Sequence, residues 1–268
     1  MPPILLAYAG LAALNLAGVA LHQELLEWCT KPLLAPLLAV YLWRCTRRDH
    51  PAVLAGLALA TAGDVALLLP VTGAFVAGIA CFLGMQLCYI TAFAQQGAVA
   101  HLRARPLLCA ACLAVWAAAN AALLPHLGAL AWAVAPYSLA LVTMAATAQV
   151  RGPGAAWGGA VFVASDLLIG LGAAGGEFTG RPVLVMATYA LAQFLLVDAF
   201  TRTRPPRRKH HPAPEHAERV PPGGRPRRAA KRLSDCQCRA EQWRKEERSI
   251  SPVRGNRSQV PVMRKAPH

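Results

Sequence analysis

Two aspartates lie inside stretches of sequence that are otherwise apolar. Asp64 precedes the run Val65–Leu69, and Asp166 follows Ser165 at the end of another such run. An ionisable group within a bilayer is costly unless it is paired or hydrated, so each aspartate is a candidate functional residue. Two carboxyl groups at one site can divide acid–base chemistry, because one delivers a proton while the other remains ionised.

Uncharged polar residues fall within other apolar stretches. Gln86 and Tyr89 are three residues apart, so they share one helical face. Tyr189 and Gln193 belong to the last stretch, and Tyr137 can point inward from the sixth. These side chains are candidates for the same polar layer as the aspartates.

Two further charged residues stand near the ends of apolar stretches. Lys31 opens the second stretch, where a lysine either extends its ammonium group to the interface or binds a phosphate. Asp198 lies shortly before basic residues, so we expect it to be an interfacial partner of Arg202 or Arg204.

Histidine is missing from the interior of the apolar stretches. A metal-dependent hydrolase within a membrane needs imidazoles or several carboxylates that converge. Cys109 and Cys112 have the spacing of half a zinc site, but no second ligand pair accompanies them. We therefore expect no metal site and no cofactor.

The apolar stretches predict an all-α fold, a polytopic membrane bundle of about eight transmembrane helices. Each stretch is close to the ~20 residues that cross ~30 Å of hydrocarbon. With 56% hydrophobic residues in the whole chain, there is too little polar surface for a soluble domain. No basic segment precedes the first stretch, which favours a span over a cleaved signal peptide. The predicted spans are Ile4–Leu21, Trp28–Trp43, Val53–Leu69, Phe75–Ala94, Leu107–Leu124, Leu130–Val150, Trp157–Ala173 and Val183–Phe200. The second is the weakest of them, because Pro32 and Pro36 interrupt it.

Charge divides the chain into residues 1–200 and residues 201–268. The first part has eight Lys/Arg and seven Asp/Glu, whereas the second has nineteen and six, which accounts for +13 of the net charge of +14. The second part is rich in Pro and Arg, so we predict a disordered cytoplasmic tail. We expect this tail to bind anionic lipid head groups rather than nucleic acid, because a single aromatic residue, Trp243, lies among its basic residues.

The arginines predict the orientation of the spans. Basic residues follow the second, fourth, sixth and eighth spans, whereas the other connections carry mostly acidic residues. The positive-inside rule then places both termini in the cytoplasm, and we expect the protein in the plasma membrane. With this orientation Asp64 and Asp166 lie at similar depth in the outer half of the membrane, and Lys31 lies near the outer surface.

Four segments together resemble the YhhN family of membrane proteins, which includes the animal lysoplasmalogenases. The resemblance covers about residues 1–200. Where the family commonly has a His-x-x-Tyr pattern in the fourth span, this chain has Gln86 and Tyr89. The segments are Thr30–Leu33, Gly63–Leu68, Val161–Asp166 and Thr188–Gln193.

The resemblance implies a hydrolase that cleaves the vinyl ether of a lysoplasmalogen, releasing a fatty aldehyde and a glycerophospho-base. This reaction needs a proton at the β-carbon and a water that captures the resulting oxocarbenium ion, which suits two carboxyl groups. We therefore predict Asp64 and Asp166 as catalytic residues, without distinguishing the acid. The predicted substrate-binding residues are Lys31, Gln86, Tyr89, Tyr189 and Gln193.

Other functions remain compatible with the same residues. In a proton-coupled transporter or flippase, buried aspartates would carry protons. A non-catalytic scaffold would depend on the basic tail and not on the aspartates. Within the hydrolase class, a related ether or enol ether lipid is an alternative substrate.

Overall fold

The computed structural model of the protein describes residues 3–46 and 50–202, and most of these residues form apolar helices. Within those residues there are nine α-helices and no β-strand. They are α1 (Pro3–Ala20), α2 (Glu24–Thr46), α3 (Pro51–Leu68), α4 (Thr72–Gln95), α5 (Ala98–Arg103), α6 (Pro106–Leu123), α7 (Ala131–Ala148), α8 (Pro153–Ala173) and α9 (Arg181–Thr201).

Eight of these helices are long and apolar enough to cross a membrane. The predicted all-α, eight-span fold is therefore confirmed, and the chain is an integral membrane protein. The remaining helix, α5, is a six-residue helix that the hydropathy pattern did not predict. Of the disordered tail predicted over residues 201–268, Thr201 is the last residue of α9, whereas residues 203–268, with their predicted lipid partners, lie outside the described residues, as do Arg47 and Arg48.

Proline and glycine mark most helix boundaries. Pro51, Pro106 and Pro153 each stand in the first turn of their helix, where the missing N–H has no intrahelical partner to lose. Gly97 separates α4 from α5 with a φ of 87°. Residues with a Cβ adopt this backbone conformation only at an energetic cost. These boundaries explain why most predicted spans lie close to the observed helices.

The second span is longer than predicted. Helix α2 is continuous from Glu24 to Thr46 and contains both Pro32 and Pro36. At its start, Thr30 Oγ1 donates to the carbonyl of Leu26 at 2.6 Å, and Asn15 of α1 donates to Thr30 at 2.9 Å. Both prolines are half-buried, and α2 packs on α1, α3 and α9, an environment in which membrane helices tolerate proline.

Helix packing leaves α6 at the periphery. Helices α1 to α4 pack in sequence order, α7 packs on α4 and α8, and α9 packs on α8, α1 and α2. Helix α6 packs chiefly on α7, and Asn120 is its only buried residue. A cavity therefore remains between α6 and the other helices.

One end of the bundle is closed around Arg151, which follows α7. Its guanidinium donates to the carbonyls of Ala199 and Arg202 at the end of α9 and to Gln96 Oε1 at 2.6 Å. It also lies over the Phe200 ring, 5.2 Å from the centroid. This contact satisfies carbonyls that the end of a helix leaves without intrahelical partners. It lies at the end of the bundle that the arginines predict to be cytoplasmic.

Candidate functional site

A large cavity lies between α2, α3, α4, α6, α7, α8 and α9. It has an empty volume of about 1260 Å³, which includes space open to the surroundings. Most of its lining is apolar, from residues such as Ile79, Val115 and Leu141. Its polar lining residues are Lys31, Asp64, Trp116, Asn120, Tyr137, Ser138, Ser165, Asp166 and Tyr189. An apolar cavity with a few polar groups is the usual form of a site for a small amphiphilic ligand.

Asp64 reaches this cavity from α3 and is 1% exposed. The Tyr189 hydroxyl of α9 donates to Asp64 Oδ2 at 2.8 Å. The Tyr189 ring contacts the edges of Phe82 and Phe162, with ring centroids 5.8 Å apart in both cases. Edge-to-face contacts of this kind stabilise one ring orientation. They direct the hydroxyl towards the carboxyl.

Gly63 allows α4 to approach Asp64 closely. A Cβ at position 63 would lie 2.8 Å from the Phe82 ring, closer than side chains tolerate. The residue before the aspartate must therefore be small if Phe82 is to contact Tyr189. This packing explains the Gly-Asp pair that the sequence presents.

Asp166 lies on α8 and is only half-buried. The Tyr137 hydroxyl of α7 donates to Asp166 Oδ2 at 2.5 Å, at the short end of the range for hydroxyl hydrogen bonds. The preceding Ser165 donates to the carbonyl of Val185 at 3.0 Å, which attaches α8 to α9. Among the described residues no hydrogen bond joins Asp64 to Asp166 directly. Each carboxyl group instead accepts from a tyrosine on a different helix.

Lys31 lines the same cavity. Its side chain is half-buried on α2, and its positive charge acts on the Asp64 carboxyl. The structure thus brings together four of the seven residues that the sequence indicated: Lys31, Asp64, Asp166 and Tyr189.

The other three predicted residues lie behind the cavity wall. Tyr89 donates to Gln193 Oε1 at 2.9 Å, and Gln193 Nε2 lies 3.4 Å from the Tyr189 hydroxyl. Gln86 faces Tyr137, but neither of its amide atoms makes a well-oriented hydrogen bond. Gln86, Tyr89 and Gln193 are at most 2% exposed and do not line the cavity, so their contact with substrate stays a prediction that this placement does not support.

Asp198 lies away from this site. It accepts from Tyr41 at 3.0 Å and forms an ion pair with Arg202 at 2.6 Å. The expected interfacial pairing with Arg202 is confirmed.

Several cavity residues were missed or left unassigned in the sequence. The sequence predicts that Tyr137 can point inward, but spacing alone does not identify Asp166 as its partner. Trp116, Asn120 and Ser138 form a polar cluster that was not predicted. The signal was the same as for the aspartates, since Asn120 is a polar residue within an apolar span.

Comparisons with known proteins match this chain to one family. The model of the YhhN family matches residues 26–200. Lysoplasmalogenase TMEM86B of Sus scrofa is 33% identical over 156 residues, which cover 55% of this chain and 62% of that relative. The chain thus spans less than two thirds of the length of this relative. No solved structure matches significantly.

Proposed function

Because the chain belongs to the YhhN family, we propose that it is a membrane-embedded hydrolase that cleaves the vinyl ether of a lysoplasmalogen. The products are a fatty aldehyde and a glycerophospho-base. A relative named as a lysoplasmalogenase supports this activity. The observation that carries the proposal is the pair of carboxyl groups, from α3 and α8, in one mostly apolar cavity.

The reaction begins with transfer of a proton from a carboxylic acid to the β-carbon of the vinyl ether. The carbon attached to oxygen then becomes an oxocarbenium ion, which adds water and loses a proton. The resulting hemiacetal breaks its bond to the glycerol oxygen and yields the aldehyde and the free alcohol. One group must give a proton, and another must accept one or stabilise the cation.

We assign the acid to Asp166 and the carboxylate to Asp64. Asp166 is half-buried and faces the cavity, so its proton is accessible to a bound lipid. Asp64 lines the cavity together with Lys31, whose positive charge can pair with the carboxylate. Tyr137 and Tyr189 hold the two carboxyl groups in position. Tyr89 and Gln193 support Tyr189 from behind.

Lys31 supplies the positive charge for the lipid phosphate. It lines the cavity together with Asp64, so one substrate can place its phosphate at Lys31 and its chain in the apolar part. Lys31→Gln is expected to raise KM several-fold with a smaller change in kcat, measured on lysoplasmalogen in nanodiscs. An unchanged KM would remove Lys31 from the substrate site.

The experiment that tests the activity follows aldehyde release from a lysoplasmalogen by the full chain in nanodiscs. Asp64→Asn and Asp166→Asn should each lower kcat by about 10²- to 10⁴-fold, the usual loss when a general acid or base is removed. Asp198→Asn is the matched control, since Asp198 also accepts from a tyrosine but lies outside the cavity.

Two results would contradict the proposal. A well-folded wild-type protein that releases no aldehyde would exclude this substrate. Full activity in either cavity variant would exclude that carboxyl from the mechanism.

Proton-coupled transport is the second candidate function. The hydrogen bonds from Asp64 through Tyr189 and Gln193 to Tyr89 form a polar chain inside the bundle, and buried carboxyl groups are the usual proton carriers of such transporters. Proteoliposomes that contain a pH-sensitive dye distinguish the two functions. Lipid-dependent acidification without aldehyde release would favour transport.

A further inference from the structure

A polar cluster joins α6 to α7 within the cavity wall. Trp116 Nε1 and Asn120 Nδ2 each lie 3.1 Å from Ser138 Oγ. All three residues line the cavity, and Asn120 is 7% exposed. The mechanism proposed above makes no use of this cluster.

The hydrogen-bonding capacity of Ser138 is fully used. Its oxygen accepts from Trp116 and from Asn120, which occupies both lone pairs. Its single hydrogen is directed either to the carbonyl of Ala135 at 3.0 Å or to Asn120 Oδ1 at 3.3 Å. Ser138 therefore has no remaining capacity for a ligand.

Asn120 has an acceptor to spare. Both of its N–H groups are used, since Nδ2 donates to the carbonyl of Trp116 at 2.8 Å and to Ser138. The Trp116 carbonyl also fixes the orientation of the amide, because a flipped amide would oppose two oxygens. Asn120 Oδ1 has two lone pairs, and at most one of them accepts from Ser138. That hydrogen bond, at 3.3 Å, is longer than the alternative bond from Ser138 to the carbonyl of Ala135. A hydrogen-bond donor in the cavity can complete this set.

The cluster adjoins one of the two carboxyl groups. Ser138 follows Tyr137 on α7, and Tyr137 donates to Asp166. Because the cluster and Asp166 line the same cavity, a lipid whose reacting bond lies at Asp166 can place its glycerol against this part of the wall. In a lysolipid the glycerol carbon next to the ether carbon bears a free hydroxyl, which is a donor.

We propose that Asn120 Oδ1 accepts a hydrogen bond from the free glycerol hydroxyl of a single-chain lipid and so selects it over lipids without that hydroxyl. The inference rests on the proposed function for its choice of ligand. A two-chain lipid carries an ester at this carbon and offers no donor. Such a lipid leaves the polar oxygen of Asn120 without a partner in an apolar site, which is unfavourable.

The cluster also attaches α6 to α7. The test must therefore distinguish recognition of the ligand hydroxyl from structural support of the cavity wall. A supporting role affects every ligand alike. Recognition of the hydroxyl affects only ligands that carry one. The ratio of two affinities, with and without the hydroxyl, is therefore the informative measurement.

The experiment compares binding of two uncleavable probes to the full chain in nanodiscs. One is a radiolabelled hexadecyl-ether lysophosphoethanolamine, and the other is its deoxy analogue, with hydrogen in place of the glycerol hydroxyl. The wild type should bind the hydroxylated probe about three- to tenfold more tightly, as expected for one neutral hydrogen bond. Asn120→Leu should reduce this ratio to about one. Trp116→Phe is the matched control, because it weakens the attachment of α6 but keeps Asn120 Oδ1 and should preserve the ratio.

Two outcomes would overturn the inference. The first is equal binding of the two probes by the wild type. The second is a folded Asn120→Leu variant with the same ratio of the two affinities as the wild type. Because neither probe is cleaved, this result is independent of catalysis. An intact binding ratio with no aldehyde release would remove the hydrolase proposal and leave the hydroxyl site.

Discussion

At the scale of single residues, three tyrosine–aspartate hydrogen bonds within residues 3–46 and 50–202 have different surroundings. Tyr189–Asp64 and Tyr137–Asp166 lie at the cavity, whereas Tyr41–Asp198 lies outside it. A carboxyl group in an apolar environment needs a partner, and a tyrosine supplies one donor from a rigid ring. The same pair can thus position a catalytic group or merely stabilise a helix end.

Removing the tyrosine hydroxyls tests this distinction. Tyr137→Phe takes away a hydrogen bond to a carboxyl group, an interaction worth about 1.5–3 kcal/mol when the group is charged. We expect kcat/KM for lysoplasmalogen to fall about tenfold or more, and the same for Tyr189→Phe. The measurement is steady-state aldehyde release, together with thermal unfolding to confirm that each variant is folded.

Tyr41→Phe is the control for both variants. It should lower the unfolding temperature by a similar amount but leave kcat/KM within about twofold of the wild type. If all three variants lose activity in proportion to stability, the tyrosines have no positioning role.

At the scale of helices, the site depends on close approach of α7 and α8, which carry Tyr137 and Asp166. At Gly159 of α8, an added Cβ would lie 2.7 Å from the Cα of Ala145 on α7. The opposing atom belongs to the backbone, so the contact cannot be relieved by a side-chain rotation. Small residues at such crossings are what let membrane helices pack closely.

Gly159→Ala is therefore expected to separate α7 from α8. Overpacking of this kind costs about 1–3 kcal/mol, so the unfolding temperature should fall, and the Tyr137–Asp166 hydrogen bond should weaken, lowering kcat. Gly154→Ala on the same helix is the control, because a Cβ added at that position would have no neighbouring atom within 4 Å. That change should be neutral or stabilising. Equal stability of the two variants would contradict the close approach at Gly159.

At the scale of the whole molecule, residues far apart in the chain form one site. Asp64 and Tyr189 are 125 residues apart, and the cavity takes side chains from both halves of the bundle. Both aspartates stand on helices for which the arginine pattern predicts the same direction across the membrane. The predicted orientation thus determines which leaflet can deliver the lipid.

The orientation prediction is tested with full-length fusions in a bacterial host. Green fluorescent protein at the C-terminus should fluoresce, and alkaline phosphatase at that position should be inactive, because we predict this end in the cytoplasm. A fusion after Gly175, between α8 and α9, should give the reverse pattern. Active phosphatase on the full-length chain would invert the topology and place the cavity residues in the inner half.

Much of this arrangement could be predicted from the residues in order. Apolar runs of span length specify helices wherever they occur, because a backbone in lipid must satisfy its own hydrogen bonds. The cost of burying charge similarly singles out Asp64 and Asp166 in any apolar run. The predicted span boundaries are also close, with the largest differences in α2, which extends beyond Trp28–Trp43 at both ends despite its prolines, and in α8, which begins four residues earlier at Pro153.

Partners across helices could not be predicted in this way. Tyr189 pairs with Asp64, Tyr137 with Asp166, and Asn120 with Ser138 because particular helix faces meet. Hydropathy and charge report how far each residue lies across the membrane, but carry no information on how each helix is rotated about its axis. That rotation is set by side-chain packing between helices, and it places Gln86, Tyr89 and Gln193 behind the cavity wall while opening Lys31 and Asp166 to the cavity.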